Sequence, residues 1–426
     1  MQKALLRKGA NCVKNSWSLS QLAAMNNINE SKQIMKPTSK VADILLTEVN
    51  NRLADQHAKC ISMIDIISGK REATPSPSTN SNDKRVIRAV NLPVTGMTSM
   101  KEFMEQATRT KRVEETVTKS LKNLEILHKD TFSITEHLLS DGKPTLERFS
   151  PADKALIAAT FEQIRSRHAA TVENMADIVI SLRSIAANQE NTILGDDLVD
   201  EFLRDRLAIQ LLCDHYVGLD KCKAGGGISI KCDFEDVLTD AVLEAKHICD
   251  ANFGFAPEVH VLQESSTDNI HVSLIRPWAH HVLVEILKNS MTSSVQHASI
   301  QGSSVSPSCI YIGLNDENDS LVCNVYDQGL GLDEKGIQKA FRFADSSASR
   351  RWDRIDEQQS YAMVRAPISS LGVGLSMSKM MMAVNGGNIH LENRMGNLAV
   401  SNNTSLSPGC TASIHVPRDD TLGLII

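Results

Sequence analysis

Apolar residues recur at steps of three and four between about residues 41 and 67, the spacing of an amphipathic helix. A stronger pattern starts at Ser150. Ile157, Phe161, Ile164, His168, Val172, Met175, Val179 and Leu182 fall on one stripe, which predicts a single long helix. Ser150 suits the N-cap, Pro151 the first helical position, and Asp153 the positive end of the helix dipole. A further long helix is predicted over about residues 197–217, with Phe202, Ile209, Leu212, Cys213 and Tyr216 on its buried side. With helical segments near 100–140, these make a four-helix bundle. Around Ala224-Gly225-Gly226-Gly227 the texture changes. Residues 228–232, 258–262, 270–275, 309–314, 321–326, 388–392 and 411–416 read as strands. Between them, residues 234–253 read as a helix closed by Gly254, and Pro277 opens another that reaches about residue 297. Strands mixed with helices make this half an α/β layer structure.

The expected organisation is therefore a tail over 1–35, a helical bundle over 36–224 and an α/β domain over 225–426. Residues 69–84 are polar and rich in Pro and Ser, which predicts a flexible loop inside the bundle region. The tail contains no Asp or Glu before residue 30, whereas Lys3, Arg7, Lys8 and Lys14 are basic and Leu5, Leu6, Val13, Trp17 and Leu19 are interspersed. That is the composition of a mitochondrial transit peptide, the alternative being a disordered tail. A net charge of −6 gives no reason to propose nucleic acid as a partner. No apolar run approaches the roughly 20 residues that span a bilayer, so no transmembrane segment is expected. Nine cysteines without a CxxC pair fit free thiols in a reducing compartment.

The chemistry concentrates in the second half. His281, Glu285 and Asn289 lie at i, i+4 and i+8 and so share one helix edge. Polar groups stacked in this way are costly to bury unless a ligand or water partners them. After a predicted strand comes Asp327-Gln328-Gly329-Leu330-Gly331, an Asp-x-Gly-x-Gly turn. Its carboxylate can accept a hydrogen bond from an exocyclic amine, and its glycines let the backbone approach a ligand. Later Gly372-Val373-Gly374-Leu375 leads into a helix, presenting N–H groups and a positive dipole end to phosphate. Taken singly, these are a solvated helix face, a tight turn and a lone Gly-x-Gly. Their order along the chain is what is specific.

These elements resemble the N, G1 and G2 boxes of the GHKL superfamily, which includes gyrase, the Hsp90 chaperones, MutL and histidine kinases. Within it the resemblance is to the mitochondrial pyruvate and branched-chain α-keto acid dehydrogenase kinases. Glu285-Ile286-Leu287-Lys288-Asn289-Ser290-Met291 fits that group's N box, with His281 four residues before the Glu. Arg167-His168 and the run Phe202-Leu203-Arg204-Asp205-Arg206 match its bundle helices, so the similarity covers roughly residues 145–417. The resemblance implies a Bergerat α/β sandwich behind the four-helix bundle, and an ATP-dependent serine kinase of the mitochondrial matrix. Such an enzyme inhibits the decarboxylating dehydrogenase component of an α-keto acid dehydrogenase complex. It implies Glu285 as general base supported by His281, Asn289 as the Mg²⁺ ligand, and Asp327 as the adenine contact. Lys288, Gly329, Gly331, Gly372, Val373, Gly374 and Leu375 would line the nucleotide, with Ser346 and Ser347 where the group carries a Thr-Thr pair. K⁺ near the nucleotide, a homodimer and a lipoyl-bearing core protein complete the implied set.

The chain departs from the group at Ser370 and Ser376 around the G2 box, at Cys410 where Thr is expected after Gly409, and in a segment over 397–408 that reads as an insertion. The sequence ends at Ile426, soon after Val416-Pro417 and without an Asp-Trp tail, which favours the branched-chain over the pyruvate complex as target. Two other functions compete. A histidine kinase is disfavoured by Ala169-Ala170 after His168, where an acidic residue is expected, and a GHKL ATPase by the lack of a long transducer domain. A pseudokinase scaffold is motivated by Ser370 and Cys410.

Overall fold

The computed structural model describes residues 21–22, 25, 27–28, 34–70, 100–139, 149–186, 194–223, 226–262, 271–302, 306–317, 320–345, 372–401 and 404–418. Most of the expected tail and loop, together with Ser346, Ser347 and Ser370, lie outside these residues. Contacts divide residues 25–425 into two units that meet in sequence at Gly227 and Ile228.

The first unit is helical. Helix α1 (Ser39–Ile67) starts at Thr38, whose side chain accepts from the Val41 N–H. Helix α2 spans Met100–Leu139. Helix α3 (Pro151–Arg167) opens with a reciprocal capping box: Ser150 Oγ accepts from Asp153 N at 3.2 Å and Asp153 Oδ2 accepts from Ser150 N at 2.8 Å. The sequence pattern predicts that this helix continues through His168, and there the structure differs. Helix α3 ends at Arg167, and α4 runs separately over Thr171–Ile185. The cause is a contact distant in sequence. The His168 carbonyl accepts from Arg206 Nε and Nη2, at 3.3 and 3.1 Å, and from Thr171 N at 3.1 Å. A carbonyl drawn toward a buried guanidinium leaves the i→i−4 ladder, although the apolar spacing carries on undisturbed.

Helix α5 (Asp196–Asp220) follows Gly195, whose φ is 74°. Helix α1 packs on α2 and α5, α3 packs on α5, and α4 packs on α2. The result is a four-rod bundle whose third rod is broken. Leu45, Leu46, Leu53, Met63, Phe132, Phe161, Phe202 and Tyr216 fill its centre. Some of the polar groups buried among them are paired: Arg52 with Glu48, His57 with Glu125 and Gln56 Nε2 with the Phe202 carbonyl.

The second unit is a mixed layer structure. Its elements are β1 (Ser229–Asp233), α6 (Phe234–Phe253), β2 (Val259–Leu262), β3 (His271–Leu274), α7 (Arg276–Gln301), β4 (Ile310–Glu317), β5 (Ser320–Tyr326), α8 (Glu334–Ala340), α9 (Gly374–Val384), β6 (Asn388–Arg394), β7 (Leu398–Ser401), β8 (Thr404–Leu406) and β9 (Gly409–Pro417). Helix α6 begins where Asp233 accepts from Glu235 N at 3.0 Å and ends on the left-handed Gly254 at φ 83°. The main sheet has the order β2-β4-β5-β9-β6. Strands β2 and β4 are parallel and the remaining pairs antiparallel. Strands β1 and β3 pair separately, and β7 with β8 form a hairpin within the segment that reads as an insertion. Helix α6 packs on α7, and α9 packs on both α7 and β6. Val282, Leu283, Ile286, Leu287, Met291 and Val295 of α7 are buried in the core with Ile312, Val325, Ile389 and Ile414 from the sheet. This is the α plus α/β architecture expected from the pattern of elements.

Candidate active site

Helix α7 carries apolar side chains around most of its circumference, so its polar edge is narrow. Along that edge burial changes. His281 is half-buried, Glu285 is 8% exposed, and Asn289 faces solvent. Lys288 Nζ donates to Glu285 Oε1 at 2.6 Å, and both side chains are buried. A buried ion pair is stable only while both partners remain. The other carboxylate oxygen of Glu285 faces the start of α9. A Cβ placed on Gly374 would overlap Glu285 Oε2, so only glycine allows this approach. His281, one turn before Glu285, has its pKa lowered by burial, with the Glu285 charge opposing.

Asp327 directly follows β5. Its N–H donates to the Cys410 carbonyl at 3.0 Å, extending the β5–β9 ladder. Its Oδ1 accepts from Gly329 N at 3.0 Å and Cys410 N at 3.2 Å, and the residue is 4% exposed. Burial raises the Asp327 pKa, against those two N–H groups, the Arg394 charge and a hydrogen bond from the Ser290 side chain. Ser290 lies on α7, and so does Ser293, whose Oγ accepts from Leu330 N at 3.0 Å. A Cβ on Gly329 would collide with Ser293. The glycine turn therefore lies directly against the helix that bears Glu285. Gly331 has φ +66°, and beyond it Leu332 N donates to Asn393 Oδ1 at 3.3 Å.

The start of α9 is the third component. Gly372 has φ +76°, its carbonyl accepts from Ala344 N at 3.0 Å, and a Cβ on it would meet the Asp345 backbone at 2.7 Å. Val373 is the N-cap of α9 and offers no side-chain cap, so among the described residues the first N–H groups of the helix are left open where Gly374 stands beside Glu285. The structure thus brings Glu285, Lys288, Gly374, Asp327 and Gly329 to one helix, with His281 and Asn289 on the same edge.

Several residues at this site carry no local sequence signal. Arg394, the last residue of β6, donates from Nη2 to the Asp327 carbonyl at 2.7 Å and the Ser407 carbonyl at 2.9 Å. From Nη1 it donates to the Cys410 carbonyl at 3.2 Å and Thr411 Oγ1 at 3.0 Å. Gln328 Oε1 accepts from Ser407 N at 2.9 Å, and the Gln328 carbonyl accepts from His297 Nδ1 at 2.9 Å. One guanidinium thus ties the Asp327 turn to the inserted hairpin. Ser293 sits eight residues after Glu285, on the same i+4 series as His281 and Asn289, and this was the available signal for it; Ser290, five residues on, lies about 140° round the helix and had none. Arg394→Met removes a donor shared by four acceptors. The urea unfolding transition of this unit is expected to lose about 1–3 kcal/mol, seen as a lower midpoint at unchanged slope.

Fold and site together place the second half in a known class. Residues 277–386 match the family model of histidine kinase-, DNA gyrase B- and HSP90-like ATPases. Residues 16–230 match the model of mitochondrial branched-chain alpha-ketoacid dehydrogenase kinase, which is half of the chain. The chain belongs to the mitochondrial branched-chain alpha-ketoacid dehydrogenase kinase family. It is 24% identical over 235 residues to the mitochondrial [pyruvate dehydrogenase (acetyl-transferring)] kinase of Drosophila melanogaster, covering 52% of this chain and 55% of that protein. Identity to the Schizosaccharomyces pombe enzyme of the same name is 23% over 292 residues, 64% of this chain and 67% of that one. Identity to human isozyme 4 is 25% over 246 residues, 54% of this chain and 57% of that one. The matches span between about half and two thirds of the length of these relatives.

Proposed function

We propose that this protein is an ATP-dependent serine kinase that phosphorylates and inhibits the decarboxylating dehydrogenase component of a mitochondrial α-keto acid dehydrogenase complex. The observation that carries the reading is the joining of Glu285 and the Asp327 turn to one helix through Ser290 and Ser293. ATP fits this arrangement. Both backbone donors to Asp327 converge on Oδ1, leaving acceptor capacity on Oδ2 for an exocyclic amine. Gly374 meets α7 without a side chain between them, so phosphate would lie against free N–H groups and the dipole end of α9.

Glu285 would accept the proton of the incoming serine hydroxyl, acting as general base. His281, kept neutral by burial, would orient that carboxylate. Lys288, held against Glu285, would supply positive charge at the phosphate end. Asn289 offers a solvent-facing amide oxygen on the same edge, a hard donor that suits Mg²⁺ with phosphates and water completing the shell. When bound, Mg²⁺ would supply charge neutralisation across the transferring phosphoryl group. Gly331, Gly372, Val373 and Leu375 would shape the backbone cradle, and Ser346 and Ser347 are proposed phosphate contacts. A matrix location, a homodimer and docking on a lipoyl-bearing core belong to the same proposal.

The branched-chain complex is the favoured target, supported by the family model that covers the helical unit, although the curated relatives are named for the pyruvate enzyme. The test is incubation of the purified protein with Mg-ATP and each dehydrogenase component separately. Serine phosphate and loss of activity are expected for the branched-chain component first. Label on histidine alone, or none on either component, would overturn the kinase reading. A nucleotide-binding scaffold without turnover is the second reading, favoured by the Lys288–Glu285 ion pair, which engages one oxygen of the proposed base. Tight ATP binding with no transfer would select it.

A further inference from the structure

We propose that Glu258, His260 and Cys309 form a metal site of the zinc class at the β2 edge of the main sheet. The three residues come together through strand register. Strand β2 runs parallel to β4 with Val259 opposite Ile310 and His260 opposite Tyr311, which sets Glu258 beside Cys309. Side chains two apart on a strand point to the same face. Glu258, His260, Cys309 and Tyr311 therefore share one side of the sheet. Among the described residues, this group brings a carboxylate oxygen, an imidazole nitrogen and a thiol sulfur within 4.8 Å of one another. The Glu258 Oε2 to His260 Nε2 separation is 3.6 Å.

The scaffold beneath these ligands is fixed. Ile310 N donates to the Glu258 carbonyl at 2.8 Å, and Gln328 Nε2 donates to the Cys309 carbonyl at 3.4 Å. The Tyr311 ring lies 5.3 Å from the imidazole at 33°, which limits rotation of the ligand plane. Glu258 and His260 are exposed and Cys309 is half-buried, so an ion reaches the site directly from solvent.

Exposure separates Cys309 from most other thiols among the described residues. Burial pushes Cys249 up to about 11 and Cys323 and Cys410 up to about 12, and it raises Cys60 and Cys213 as well. A thiol held protonated in an apolar surround is a poor ligand, because the metal takes the thiolate. Cys309 stands near the surface with an imidazole and a carboxylate in reach. Thiolate, imidazole and carboxylate together suit zinc, with water as the fourth tetrahedral ligand. Binding would release the Cys309 thiol proton to solvent.

The test uses the full chain, stripped by chelator and titrated with Co²⁺ as a spectroscopic substitute for zinc. One equivalent is expected to give a thiolate-to-cobalt band in the near ultraviolet and tetrahedral bands in the visible, both abolished by added Zn²⁺. Cys309→Ser should eliminate the near-ultraviolet band, and His260→Ala should weaken zinc binding by about a hundredfold. Circular dichroism checks that each variant is folded, and if Cys309→Ser is not, His260→Ala decides alone. Absence of the bands in the unaltered protein overturns the site. Survival of the band in Cys309→Ser, or of full zinc affinity in His260→Ala, overturns it equally.

Discussion

Glu285→Gln is expected to lower serine phosphorylation by about 10²–10⁴-fold, the usual contribution of a positioned general base. The substitution keeps shape and hydrogen-bond reach but cannot take the hydroxyl proton. Affinity for ATP should change little, because the proposed adenine contact is Asp327 and the proposed phosphate contact is the start of α9, leaving the loss in kcat rather than in KM. One structural consequence has to be measured beside it. Lys288 is 6% exposed and has Glu285 as its ion-pair partner, so the variant leaves a buried ammonium facing a neutral amide. A thermal melt of the same preparation separates lost chemistry from lost fold. Unchanged transfer by a folded Glu285→Gln protein would remove Glu285 as the base.

Asp327→Asn should weaken ATP binding by about 10–100-fold, the cost of losing one charge-assisted hydrogen bond and leaving a donor unpaired. The geometry makes asparagine a demanding replacement. Gly329 N and Cys410 N both require an acceptor at the Oδ1 position. The amide oxygen has to take that place, which turns the NH₂ group toward the base, donor against donor. Isothermal titration with ATP measures the effect, and unaltered affinity would take Asp327 out of the adenine contact.

The same residue sets an expectation for pH. Burial raises the Asp327 pKa, so the folded protein holds this proton more tightly than the unfolded chain. That contribution to stability is complete below the ordinary aspartate value and is lost as pH rises through the raised folded value. Nucleotide binding runs the other way. The proposed adenine contact uses the anion as acceptor, so ATP affinity should fall as pH drops through the raised value. In Asp327→Asn both dependences on this group should vanish.

Much of the local structure was legible in the chain. The Ser150 cap of α3, the Gly254 stop of α6 and the position of Asp327 immediately after β5 each depend on residues within a turn or two. The same locality explains the error at His168. Apolar spacing continues across it, whereas the helix breaks because Arg206, distant in sequence, takes the carbonyl.

What the sequence alone determined is which segments become helices and strands, which edge of α7 is polar, and where glycines free the backbone. These follow from periodicity, capping and φ, all properties of neighbouring residues. Tertiary structure alone decided that Ser290 and Ser293 would clasp the Asp327 turn and that Arg394 would bind its carbonyl. It also decided that Glu258, His260 and Cys309 would share a face. Such meetings depend on strand order and register, where a slip of one residue sends every side chain to the opposite face. They are set by burial of the whole sheet against α7 and its neighbours, and no short stretch of chain encodes them.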